Sequence, residues 1–290
     1  MNLIREQRSQ YYYQQITIYL KCMAKDEKIL VIDDEQVILD AVSRIVSAKE
    51  IKVDVETNAK NALKMLSQKD YSLVLCDILM PEMDGFSVLE EIQSRKVNIP
   101  VIMITGYSTV ENAVNSLYKG AIDFIAKPFT FEELESAINR GLEYSRVQKR
   151  AEEAKSQKNA GAVTFVPCPP KYYRLGYLSW INLESEGIAT LGATSLFLET
   201  IKELKNIELM NIDDLLIQGN SCANFITNDE LVHHFLSPIG GRIIERNEIL
   251  SNEITLMEKD PYFKGWIYKI IPADLEHDLK FLVSCASDRM

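Results

Sequence analysis

What this sequence lacks narrows it first. Its five cysteines (Cys22, Cys76, Cys168, Cys222 and Cys285) include no C-x-x-C pair, and three histidines in 290 residues offer no zinc-ligand spacing. Cysteines odd in number and far apart fit reduced structural thiols of a cytoplasmic protein better than a disulfide framework. No apolar run reaches the roughly 18 residues of a membrane span, and no signal-peptide core is visible near the N-terminus. Cytoplasm is the expected location, without a membrane partner. Clustered Lys and Arg are missing too. With 32 basic against 42 acidic residues, the net charge is −10 and the pI about 5.0, which argues against a nucleic-acid footprint. No helix-turn-helix pattern supplies a reading helix, so a transcription factor is disfavoured.

What is present is organised around residues 71–85, YSLVLCDILMPEMDG. Ser72 to Cys76 is an unalternated run that suits a strand buried on both faces of a parallel sheet. Asp77 closes it, and Pro81, Asp84 and Gly85 turn the chain behind it. Other runs end in matching chemistry: residues 28–32 lead to Asp33 and Asp34, 101–104 to Thr105, and 121–126 to Lys127 and Pro128. With a fifth run at 51–55 and amphipathic stretches at 35–48, 59–68, 84–95, 108–119 and 130–147, the alternation predicts a doubly wound, five-stranded parallel sheet with helices on both faces. Ligands of such folds bind at the strand carboxyl ends. Carboxylates about 5 Å apart repel by roughly 3 kcal/mol at an effective dielectric near 20, so Asp33, Asp34 and Asp77 call for a cation. An all-oxygen set favours Mg²⁺. Lys127 and Thr105 add one ammonium and one hydroxyl, which is what a phosphoryl group needs.

The motifs VIDDE (31–35), LVLCDILMPEMDG (73–85), VIMITGYST (101–109) and GAIDFIAKPF (120–129) resemble the receiver domain of two-component response regulators. The resemblance implies that Asp77 is the phosphoacceptor, that Asp33, Asp34, Asp77 and the Leu79 carbonyl hold Mg²⁺, and that Thr105 and Lys127 grip the phosphoryl group. It also implies that Thr105 and Phe124 form the switch and that the Lys127–Pro128 bond is cis. A sensor histidine kinase or phosphotransfer protein would be the donor. A homodimer would use the face built by the fourth helix, fifth strand and fifth helix. A phosphatase of the haloacid dehalogenase type is disfavoured, because its D-x-D-x-T motif is absent.

Thr130 and Glu133 have capping-box spacing ahead of the fifth helix, and the charged stretch 146–162 reads as its continuation with a break near 159–162. Beyond about residue 166 the rhythm shifts to short strands at 172–175, 178–182, 187–191, 215–218, 222–226, 231–236 and 241–244, with a helix at about 193–204. This predicts a mostly β barrel or sandwich. SPIGGRIIERNEIL (237–250), EKDPYFKGWIYKI (258–270) and the isolated LSW (178–180) resemble the glycine cleavage system H protein, a lipoyl carrier. The family's lipoyl lysine falls at Glu230, at a hairpin tip turned by Asn228 and Asp229, and no lysine lies between Lys205 and Lys259. His233 and His234, neighbours on a strand, point to opposite faces and make poor co-ligands. Trp180 and Trp266 read as core anchors.

The expected organisation is an N-terminal extension (1–23), a receiver domain (24–148), a charged linker (149–165) and a non-lipoylated, lipoyl-domain-like output module (166–290) acting on a protein partner. The alternative is a lipoyl-type carrier in one-carbon or acyl metabolism with a regulatory receiver domain.

Overall fold

The computed structural model describes residues 27–47, 51–95, 98–106, 109–156, 165–201 and 203–289. The N-terminal extension and the break near 159–162 lie outside them. The five apolar runs form β1 (Lys28–Ile32), β2 (Lys52–Glu56), β3 (Leu73–Asp77), β4 (Val101–Thr105) and β5 (Asp123–Ala126), all parallel in the order β2-β1-β3-β4-β5. Every residue of β3 and β4 is buried, which is why their sequences do not alternate. The helices are α1 (Gln36–Ser47), α2 (Ala59–Gln68), α3 (Gly85–Ser94), α4 (Val110–Tyr118) and α5 (Phe131–Ser156). Thr130 and Glu133 exchange the two hydrogen bonds of a capping box at the start of α5. Farther along, Arg146 clasps Glu27 through Nε and Nη2 at 2.6 and 2.7 Å and ties the helix back to the start of β1.

The C-terminal domain is mostly antiparallel. Its strands are β6 (Tyr173–Leu175), β7 (Ser179–Leu183), β8 (Ala189–Ala193), β9 (Leu204–Leu209), β10 (Leu215–Leu216), β11 (Ser221–Thr227), β12 (Val232–Leu236), β13 (Gly241–Arg246), β14 (Trp266–Pro272) and β15 (Val283–Ser284). They build a seven-stranded sheet, β10-β13-β14-β8-β7-β6-β15, and a three-stranded one, β12-β11-β9. The helix expected at about 193–204 is shorter, spanning α6 (Ser195–Ile201). Glu203 takes a left-handed backbone (φ 50°) that ends it and starts β9, a strand the sequence pattern did not reveal. Trp180 is fully buried and donates its Nε1–H to the Ala193 carbonyl, 2.9 Å away.

The two domains share one apolar core, in which Val114 and Leu117 of α4 lie with Leu175, Tyr177 and Leu178. Gly219 (φ 81°) comes so close to α4 that an added Cβ would lie 2.4 Å from Val114 Cγ2. Tyr118 meets Phe281 edge-on, and Tyr144 of α5 meets Tyr177. The α4-β5-α5 face assigned above to a homodimer is therefore covered by the chain's own second domain. That expectation is corrected here, because the apolar residues that would form the dimer contact are already packed.

A buried polar network crosses the same boundary. Arg140 donates Nε to Asp123 Oδ2 at 3.0 Å and reaches that carboxylate through Nη2 as well. Its Nη1 donates to Ser136 Oγ (2.7 Å) and to His233 Nδ1 (2.8 Å). With an arginine donor on Nδ1, His233 must be the neutral Nε2–H tautomer. Burial first, and the Arg140 charge second, push its pKa down to about 3. An unfolded chain takes up this proton as pH falls below about 6.5, the folded one only near 3. The stabilisation is therefore complete above about 6.5 and is lost as pH falls through that window. Between pH 7 and 5, wild type should lose about 2 kcal/mol more than His233→Gln in urea unfolding. Equal losses in the two proteins would contradict this.

Candidate functional site

The site stands at the carboxyl end of the parallel sheet, where β1 and β3 run side by side while their connecting helices leave to opposite faces. Asp33 follows β1 and Asp77 ends β3, each almost fully buried. Thr105 ends β4, also fully buried, and its carbonyl accepts the Lys127 N–H at 2.7 Å. Four sequence-distant residues thus reach one sheet edge because each terminates a buried strand or follows one directly.

The turn behind Asp77 is built for close approach. Asp84 caps α3, its side chain accepting the Ser87 N–H at 2.7 Å. Gly85 opens that helix against β3, and a Cβ there would sit 2.1 Å from the Asp77 carbonyl oxygen. No larger residue fits without moving the phosphoacceptor candidate itself.

Lys127 dominates the electrostatics. Its ammonium lies 2.8 Å from Asp33 Oδ2, 2.9 Å from Asp77 Oδ1 and 3.1 Å from Glu35 Oε1. Burial raises the pKa of both Asp33 and Asp77 above the ordinary carboxylate value, against the pull of Lys127. The Glu35 N–H, 2.9 Å from Asp33 Oδ1, and the Leu79 N–H at Asp77 oppose burial in the same way. Burial pulls Lys127 down, but Asp33, Asp77 and Glu35 outweigh it and hold the ammonium protonated. The Lys127–Pro128 bond is cis.

Among the described residues no group of three or more His, Cys, Asp or Glu is gathered tightly enough to hold a metal. Asp34 is exposed, and Lys127 stands between the other two carboxylates. The donor chemistry nevertheless fits a hard dication. Asp33 Oδ2 is buried without a hydrogen bond and meets Lys127 only as an ion pair, so it retains capacity for a cation. Leu79, whose N–H reaches Asp77, is exposed. Phe124 is half-buried and lines a cavity of about 240 Å³ between the domains, together with Asp123, Arg140, Val232 and Leu236.

On the C-terminal domain, Glu230 sits on the β11–β12 hairpin in a left-handed conformation (φ 64°). The Lys205 ammonium pairs with its carboxylate, so a lysine is close in space although 25 residues away in sequence. His233 is buried, whereas His234 is exposed and bonded to Asn224. Sequence reasoning gave no role to Glu35, Asp123 or Arg140. Glu35 was visible as the carboxylate two residues after Asp33, but nothing local marks the other two.

Residues 29–139 match the model of the response regulator receiver domain. This part of the chain is a receiver domain. Residues 171–288 match the model of the glycine cleavage H-protein. The transcriptional regulatory protein ZraR of Klebsiella oxytoca is 36% identical over 121 residues, covering 42% of this chain and 27% of that protein. The regulatory protein AtoC of Escherichia coli (strain K12) is 35% identical over 127 residues, covering 44% and 28%. Among solved structures, the receiver domain of Francisella response regulator 1452 is 30% identical, covering 39% of this chain and 94% of that one, with a TM-score of 0.38. The chain thus spans a little over a quarter of the length of these curated relatives, and the similarity lies in the receiver.

The geometry makes a direct demand on stability. Lys127→Met would leave Asp33 and Asp77 buried beside each other without their cation, at a cost of about 3 kcal/mol in urea unfolding at neutral pH. Asp34→Asn, at an exposed position, should leave metal-free stability unchanged or slightly higher. Wild-type stability in Lys127→Met, or a clear loss in Asp34→Asn, would contradict this placement of charge.

Proposed function

We propose that this chain is a cytoplasmic response regulator of a two-component phosphorelay, phosphorylated on Asp77, that signals through a non-lipoylated H-protein-like domain by protein contact. The observation that carries the reading is Lys127 held between Asp33 and Asp77 at the sheet's carboxyl edge, with Thr105 beside it. A sensor histidine kinase or phosphotransfer protein would supply the phosphoryl group. Asp33, Asp34, Asp77 and the Leu79 carbonyl would hold Mg²⁺, which when bound neutralises phosphoryl oxygens.

The chain's own groups do the rest. The Asp77 carboxylate attacks phosphorus as the donor's leaving group departs. Lys127 then exchanges its contacts with Asp33 and Glu35 for the new phosphoryl oxygens, and the Thr105 hydroxyl donates to another. Because Lys127 directly follows β5, its movement pulls on the strand that carries Phe124 and Asp123 into the boundary between domains. The face often left for partners is here given to this intramolecular contact, so phosphorylation would change how the C-terminal domain is held and what it offers an output protein.

The carrier reading is weaker. Glu230 stands where the lipoyl lysine would be, and a carboxylate cannot form the amide that tethers lipoate. Incubation with Mg²⁺ and acetyl phosphate should label wild type once, and Asp77→Ala should lose at least 90% of the label. Undiminished labelling of the variant would refute Asp77 as acceptor. Intact mass of protein from its native host should show no lipoate increment, and an increment mapping to Lys205 would favour the carrier.

A further inference from the structure

Two cysteines from opposite ends of the C-terminal domain meet in its aromatic core. Cys168 lies ahead of β6 and Cys285 follows β15, 117 residues later. Pairing of the two strands brings them together: Ser284 stands opposite Tyr173, and the Cys285 N–H donates to the Tyr172 carbonyl at 2.9 Å. Their sulfurs are 2.7 Å apart, inside the van der Waals separation of two sulfur atoms, so nothing intervenes. Neither is in a disulfide, and both are buried. Tyr172, Trp180 and Tyr262 enclose them, with Trp266 packed behind. The other described cysteines, Cys76 and Cys222, belong to separate clusters.

We propose that Cys168 and Cys285 are a reversible disulfide site that clasps the first and last segments of the C-terminal domain. The oxidant is a low-molecular-weight disulfide of the glutathione class. Cys168, at 6% exposure against 0% for Cys285, is the sulfur such a molecule reaches first. Its thiolate attacks one oxidant sulfur, forming a mixed disulfide and expelling one small thiolate. The Cys285 thiolate then attacks the Cys168 sulfur, forms the internal bond and expels the second. Two electrons pass to the oxidant, and the two cysteine protons end on the two small thiols. A reducing compartment keeps the pair as thiols, so the clasp responds to oxidation rather than serving as a permanent staple. Because it closes a loop spanning nearly the whole domain, it restricts the unfolded chain strongly.

The test uses the full chain, treated with oxidised glutathione or with dithiothreitol, denatured, alkylated with iodoacetamide and weighed. Of the five cysteines, three should take the label after oxidation and all five after reduction. Neither protected cysteine should carry glutathione, and peptide mapping should find the segments containing residues 168 and 285 joined. Cys168→Ser and Cys285→Ser should each abolish the protected pair. The oxidised wild type should melt about 10 °C above the reduced protein, a shift that both variants lack. Labelling of residues 168 and 285 after oxidation, a protected pair that survives in either variant, or glutathione that stays on Cys168 would overturn the proposal.

Discussion

Lys127 holds two buried carboxylates from different strands in one place, and the rest of the site depends on that contact. Without its ammonium 2.8 and 2.9 Å away, Asp33 and Asp77 would have to be protonated or exposed. Burial, which already raises their pKa values, makes the arrangement sensitive to any new charge. A phosphoryl group on Asp77 would compete directly for the same cation. The resting site is thus balanced rather than satisfied, with Asp33 Oδ2 lacking a hydrogen bond.

Strand β5 links this balance to the second domain. At one end it leads into Lys127; at the other it begins with Asp123, which fixes Arg140 and through it Ser136 and His233. Only three residues, Phe124 to Ala126, separate Lys127 of the ion-pair centre from Asp123 of the polar boundary between domains. The apolar contacts of α4 with Gly219 and Phe281 set the docking distance, while the charged network selects its register. Buried charge held by a single set of partners is costly to disturb, so a shift of β5 would have to break this network as a unit.

Much of the receiver was legible because its strands are buried on both faces and so appear as unbroken apolar runs. Asp33, Asp77, Thr105 and Lys127 were visible as polar residues at the ends of those runs, and the structure brings all four together. The C-terminal strands were harder. In β9, Leu204 and Ile207 continue the three-residue spacing of Leu198 and Ile201 in the preceding helix, and nothing in the pattern marks the left-handed turn at Glu203. The contact between the domains was not legible, since Ser136 and Arg140 look like solvated positions on an amphipathic helix until β12 is laid against them. Alternation placed His233 and His234 on opposite faces, but what His233 touches is decided by another domain.

On the proposed reading, phosphorylation of Asp77 would loosen the contact between the α4-β5-α5 face and the C-terminal domain. Hydrogen exchange of the full chain, with and without Mg²⁺ and acetyl phosphate, tests it most directly. Amides of Val232–Leu236 should exchange about 5- to 150-fold faster in the phosphorylated protein, the usual span of allosteric coupling, and should not change in Asp77→Ala. Unchanged or slower exchange in protein whose Asp77 is fully phosphorylated would contradict it.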